Sequence, residues 1–276
     1  MLAPLAPGPL VDASRTAKAG PRLGLRPRAA RLCSALALTL IGFVALAQNL
    51  PRGDCAAPRA ATDLRHCDLT GMQLPAADLS GARLDGVSLE NADLTDCRLA
   101  GASLEGANLR WTKLVRCDLA GTNFREADLF HAILDEADLT GAILAYAHLF
   151  GANLNQVKGR DADFTHAYLK DLLMEESDLP ESHFDQAFMF RAVLIGSRLL
   201  GASIRNATLT GAAMEDVDLT GADLTGSLLN GAHLRGARFR GARLTDTRFV
   251  NAVPAGNDFT GALEMPDHLR ALLGPQ

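Results

Sequence analysis

The chain has 276 residues, enough for one or two domains, and is 48% hydrophobic but only 5% aromatic, so its core is built from aliphatic and small side chains. The formal net charge of −5 is unevenly placed: residues 1–47 carry +5 and the remainder carries −10. An acidic body excludes ordinary nucleic-acid binding, which needs a basic footprint.

Residues 1–31 are rich in Ala, Pro, Arg and Gly without apolar periodicity and read as a disordered basic leader. Residues 32–47, "LCSALALTLIGFVALA", carry no charge. A basic lead, an apolar run and Ala45-Leu46-Ala47 before Gln48 have the form of a secretory signal cleaved after Ala47. The alternative is an uncleaved transmembrane anchor, since the uncharged stretch Leu32–Pro51 has the length of about 20 residues that a span needs. Gln48, Asn49 and Pro51 argue against it. Both readings keep the positive charge inside and export the body. The expected location is the periplasm, or the periplasmic side of an inner membrane touched only through residues 32–51.

Residues 48–63 form an irregular lead-in. From Leu64 to Phe259 a large apolar residue then recurs at every fifth position, giving forty units whose centres are Leu, Phe, Ile or Met except at Gly159 and Pro254. Five is neither the helical period of 3.6 nor the strand period of 2. Two residues before each centre stands a small side chain (Ala77, Ala82, Ala92, Cys97), one before it a polar one (Asp78, Arg83, Asp93, Arg98), and two after it often Gly (Gly71, Gly81, Gly86, Gly101). The small and large residues, two apart, point the same way along an extended segment. The next pair comes after a corner, where Gly and polar residues fit. Four such sides close a square coil of twenty residues, and stacked coils bury every centre in one column.

The units "ADLSG", "ADLTD", "ANLRW", "ADLTG" and "ANLNQ" resemble the pentapeptide-repeat family, A-[DN]-L-x-x, over about 200 of the 276 residues. The resemblance implies an all-β fold, a right-handed quadrilateral β-helix. Spanning 64–261, it would have about ten coils and a length of about 48 Å at the spacing of paired strands. A hexapeptide β-helix needs period six and leucine-rich repeats need 20–29 residues, so neither fits. Gly159 is expected to leave a hole between Leu139 and Leu179, with a local bulge or weak point. After Phe259 the register is expected to fail. Pro266 followed by "DHLRALL", with Leu269, Leu272 and Leu273 on one side, reads as a capping helix within 262–276.

Cys67, Cys97 and Cys117 take the inward small position, where a Cys acts as a small core residue. Cys97 and Cys117, twenty apart, stack on adjacent coils. Cys55 precedes the repeats, and in an oxidising compartment a Cys55–Cys67 disulfide would pin the lead-in to the first coil. No Cys or His spacing has the form of a metal motif.

Positions that differ by twenty share a column. On one side the outward positions hold Trp111, Phe130, Phe150, Tyr168, Phe188 and Phe190, together with His131 and His148, and Tyr146 lies at the adjoining corner. This side is the candidate interaction surface, for a protein partner or a second copy of the chain. The plainer role for the same rings is to brace neighbouring coils. The opposite column, from Asp78 and Arg98 to Asp258, is wholly charged.

The aspartates recur with the repeat and do not form catalytic pairs. The seven histidines are scattered, and no phosphate loop or nucleophile elbow is present. No enzyme and no cofactor are expected. The reading is an exported, non-enzymatic scaffold that presents a rigid surface in the cell envelope. The resemblance supplies an alternative, a mimic of acidic duplex DNA that binds topoisomerases, which requires a cytoplasmic protein. A secreted effector is a further alternative.

Overall fold

The computed structural model describes residues 50–252 and 256–273. The leader, the proposed signal segment and Pro254 lie outside the described residues.

The unit Ala92-Asp93-Leu94-Thr95-Asp96 shows why the repeat folds as it does. The Asp93 N–H donates to Met72 O of the preceding coil at 2.9 Å, and the Leu94 N–H donates to Lys113 O of the following coil at 2.8 Å. The Asp96 N–H also reaches the following coil, at Val115 O (2.9 Å), and the Ala92 N–H closes the corner on Leu89 O (2.9 Å). Only the Thr95 N–H has no backbone acceptor, and Asp93 Oδ1 takes it at 3.1 Å. Buried backbone groups must be paired, and Asp or Asn one place before the centre is the side chain that completes the set. The same bond recurs at Asp78, Asn108, Asp128, Asp163 and Asp223. The recurrent aspartates are therefore structural groups of the corner.

Parallel pairing joins each outward polar position to the one twenty residues on, as in Asp78 to Arg98, Ser88 to Asn108, Asp93 to Lys113 and Arg83 to Ser103. These pairs run in four columns, one for each side of a square coil. Each side contributes an isolated bridge in place of a longer strand, because a corner interrupts every fifth residue. From Gly71 to Gly261 the second corner residue holds a positive φ, at glycines such as Gly101 (64°) and at others such as Asn91 (57°) and Asp96 (61°).

From Leu79 to Phe249 every Leu, Phe, Ile and Met centre is buried. The buried polar residues, Thr112, Thr122, Ser177, Ser182, Ser197, Ser227 and Thr247, all occupy the small inward position. Their hydroxyls find carbonyls: Thr112 donates to Leu89 O at 2.7 Å and Ser197 to Met174 O at 2.6 Å, each in the preceding coil. Ser177, Ser197 and Ser227 also accept the N–H groups of Val157, Ser177 and Ala207. At those corners the hydroxyl replaces the carbonyl of the local centre.

Gly159 corrects one expectation. Pairing continues through Lys158 to both Asp138 and Asp178, and the Gly159 N–H donates to Asp178 O at 2.9 Å. There is no bulge. A Cβ placed on Gly159 would stand 2.8 Å from Leu179 Cδ2, so the next centre in the column leans into the space.

The ends differ from the expected limits as well. Arg52 pairs with Asp63 over an interval of eleven residues, which makes the lead-in a shortened coil. The register carries one further bridge past Phe259, Arg243 with Leu263, because Gly261 repeats the positive-φ corner at 70°. A helix, Asp267–Leu273, follows. Its Leu269 is fully buried, and His268 Nε2 accepts the Phe249 N–H at 3.2 Å. The side chain of Leu272 lies outside the described residues.

Because Leu179 serves two layers, Leu179→Ala opens a larger cavity than Leu99→Ala. Leu→Ala losses in cores run at about 2–5 kcal/mol, and the Leu179 variant should lose at least about 1 kcal/mol more than the Leu99 variant in denaturant unfolding. Equal losses would mean that the Gly159 layer is not filled from Leu179.

Candidate interaction surface

Three adjacent columns build the aromatic side. The first corner residues give Arg110, Phe130, Phe150, Lys170 and Phe190. The Arg110 guanidinium lies 4.2 Å from the Phe130 centroid, and Phe130 stacks on Phe150 at 5.5 Å with an 8° angle between planes. The Lys170 ammonium sits between Phe150 and Phe190, at 5.5 and 6.0 Å. The paired outward positions give Asp128, His148, Tyr168 and Phe188. Here His148 stacks on Tyr168 at 5.0 Å and Tyr168 on Phe188 at 5.3 Å. The second corner residues give Trp111 and His131, stacked at 4.5 Å. Below them stands Gly151, where a Cβ would come within 2.6 Å of the His131 ring, so glycine seats that ring.

Cross-contacts join the columns: Trp111 meets Phe130 edge-on at 5.3 Å, and Phe188 faces Phe190 at 6.1 Å. All six candidate residues thus belong to one connected set. Stacking along the rod spends the ring faces on one another and turns ring edges outward. Trp111 and Phe188 remain 47% and 37% exposed, whereas Phe130, Phe150, Tyr168 and Phe190 are half-buried by their neighbours. The adjoining corner continues the pattern with Tyr146 on His166 (4.7 Å) and Arg125 over Tyr146 (4.7 Å).

Asp128 anchors the upper end. It accepts from Arg110 at 2.9 Å and from the Phe130 N–H at 3.1 Å, and its Oδ1 lies 3.3 Å from His148 Nδ1. Burial pushes its carboxyl up, but these hydrogen bonds outweigh burial and hold it below the ordinary carboxylate range. At the lower end Asp171 holds Arg191 through two bonds of 2.7 Å. The sequence shows the aromatics but not the cations interleaved with them, whose signal is the spacing of twenty that places Arg110 and Lys170 in the column of Phe130 and Phe150.

The opposite column is charged but largely neutralised: Arg98 meets Asp78 at 3.0 Å, Arg198 meets Asp178 at 3.4 Å and Arg238 meets Asp218 at 3.4 Å. The same interval of twenty pairs Asp96 with Arg116 and Asp185 with Arg205.

Cys55 and Cys67 form a disulfide with Cα atoms 5.4 Å apart, joining the lead-in to the first coil. Cys97 and Cys117 are also paired, with Cα atoms 4.7 Å apart. Sequence reasoning treats these two as core residues, yet stacking on adjacent coils brings them to bonding distance. Folding also gathers a group that spacing does not reveal: the ligand atoms of Cys55, His66 and Cys67 all lie within 4.8 Å of one another. Among the described residues, no helix is long and apolar enough to cross a membrane.

A family model described as pentapeptide repeats matches residues 60–91, 92–129, 189–226 and 218–253, and a second, pentapeptide repeat region, matches 112–184. Among solved structures the chain is similar to HetL, a pentapeptide repeat protein involved in heterocyst differentiation regulation from the cyanobacterium Nostoc sp. strain PCC 7120. The two are 30% identical over 77% of this chain and 94% of that chain, with a TM-score of 0.47. It is also similar to full-length QnrB1, a plasmid-mediated fluoroquinolone resistance protein (16% identity, 74% of this chain, 93% of that chain, TM-score 0.24). A third is the pentapeptide repeat protein Rfr23 from the cyanobacterium Cyanothece 51142 (18%, 48%, 90% and 0.21 respectively). No curated protein matches the chain.

Asp128 stabilises the fold while ionised. Because its folded pKa is depressed, that contribution is complete above the unfolded value of about 4 and is lost as pH falls through the folded value. Asp128→Asn should therefore lower the melting temperature at pH 7, and the deficit should shrink steadily as pH falls below about 4. A gap that does not narrow as the pH falls would assign the residue a packing role alone.

Proposed function

This chain belongs to the pentapeptide-repeat family, and from that premise we propose that it is a non-enzymatic scaffold of the cell envelope, exported by its N-terminal segment, whose aromatic side docks a protein partner. The four-sided coil is accordingly a right-handed quadrilateral β-helix. Its helix Asp267–Leu273 acts as a cap, covering the last coil with Leu269 and protecting an otherwise open edge.

The observation that carries this reading is the connected aromatic set around Phe150, which leaves Trp111 and Phe188 exposed at its margins. Aromatic residues at such positions are the side chains that dominate protein interfaces. Two cysteine pairs, Cys55–Cys67 and Cys97–Cys117, suit an oxidising compartment outside the cytoplasm. The recurrent aspartates serve the corners, which leaves no carboxylate pair for catalysis among those corner groups. The DNA-mimic alternative wants lines of unpaired negative charge, and Arg98, Arg198 and Arg238 interrupt the acidic column.

The test has two parts. After expression in a Gram-negative host and fractionation, the product should be periplasmic and begin at Gln48. A soluble cytoplasmic product with its leader intact would overturn the export reading. A photo-crosslinking residue at Phe188 should then give a discrete larger adduct, while the same residue at Asp118 on the opposite side gives none. Equal yields from both positions would reduce the aromatic side to a structural brace.

A further inference from the structure

We propose that Cys55, His66 and Cys67 form a binding site for a thiophilic divalent cation such as zinc when the two cysteines are in the dithiol state. The same clip would then be closed either by a disulfide or by a metal ion. The site joins two segments that the chain must hold together, the shortened lead-in coil that pairs Arg52 with Asp63 and the first full coil, which starts at Leu64. His66 Nε2 lies 3.8 Å from Cys67 Sγ, and with Cys55 the three donor atoms fall within 4.8 Å. Two thiolates and one imidazole are the donor set that zinc prefers, and three protein ligands leave a fourth position for water or an exogenous ligand. His66 is exposed, Cys55 half-buried and Cys67 buried, so a cation reaches the group from one side.

A cleft beside His66 is lined by Leu50, Arg52, Asp63 and Arg65. Asp63 is taken up by Arg65, at 2.6 and 2.9 Å, which removes it as a fourth ligand. A dithiol or phosphine reductant supplies two electrons, and two protons convert the disulfide to two thiols. The cation then displaces those two protons and is held by two sulfurs and one nitrogen. Oxidation by a disulfide oxidant withdraws two electrons from the sulfurs, re-forms the S–S bond and releases the cation.

The probe is cobalt(II), followed by zinc. The full chain with Cys33, Cys97 and Cys117 replaced by Ser leaves only the two cysteines of interest. Serine already fills the same inward position at Ser177, Ser197 and Ser227. In phosphine-reduced protein, one equivalent of cobalt should produce a thiolate-to-metal charge-transfer band and tetrahedral d–d bands, both abolished by zinc. Oxidised protein should show neither. His66→Ala should weaken zinc binding by at least about tenfold. Absence of the band with two free thiols counted, or unchanged affinity in His66→Ala, overturns the proposal. In the unsubstituted reduced chain, zinc should slow alkylation of Cys55 and Cys67, mapped by peptide mass. Unchanged alkylation of Cys55 would overturn it equally.

Discussion

The structure depends on how five backbone N–H groups are satisfied in five residues. Two adjacent N–H groups point to opposite coils, one corner N–H reaches the following coil, one closes the corner, and the last is left to a side chain. This division sets the period. A longer side would leave a corner N–H without its partner, and a shorter one would separate the small and large inward residues that together fill the layer. The consensus small–polar–large follows from it: the small residue makes room in a narrow tube, the large one fills it, and the Asp or Asn between them takes the orphan donor.

Once coils repeat every twenty residues, every outward side chain stands directly above another, about 4.8 Å apart. That spacing lies close to the stacking distance of aromatic rings and within reach of ion pairs, so each column becomes a ladder of like or complementary groups. Phe130 and Phe150 stack for this reason, as do Phe164 and Phe184 inside the tube at 4.7 Å. Asp171 and Arg191 pair for the same reason. Cations fall between rings where the column supplies them, as Lys170 does between Phe150 and Phe190. A surface of this kind is specified by single residues at one interval, while the framework beneath it stays constant.

The period of five, the inward position of Ala102 or Cys117 and the gathering of six aromatics on one side are all legible in the sequence, because each depends only on position within the unit. What is not legible depends on side-chain reach or on the ends. Gly159 reads as a hole because counting takes no account of Leu179 leaning across a layer. Leu263 reads as beyond the register although Gly261 still makes the corner. The Cys55–His66–Cys67 group is hidden because Cys55 lies in the lead-in, where the interval of twenty does not apply.

The two faces of the rod differ in what they can offer a partner. The charged column spends its charge internally, since each Asp–Arg pair has an exposed Arg, is weakened by salt and is worth little alone, and a partner would have to displace one member to bind the other. The aromatic side spends its ring faces on stacking but keeps its edges, and those edges are already fixed by neighbours above and below. Binding there immobilises few rotamers, so little conformational entropy is lost. A rod whose backbone pairs coil to coil between Arg52 and Leu263 would thus offer the proposed partner a surface organised in advance, which is the physical advantage a solenoid brings to a contact site.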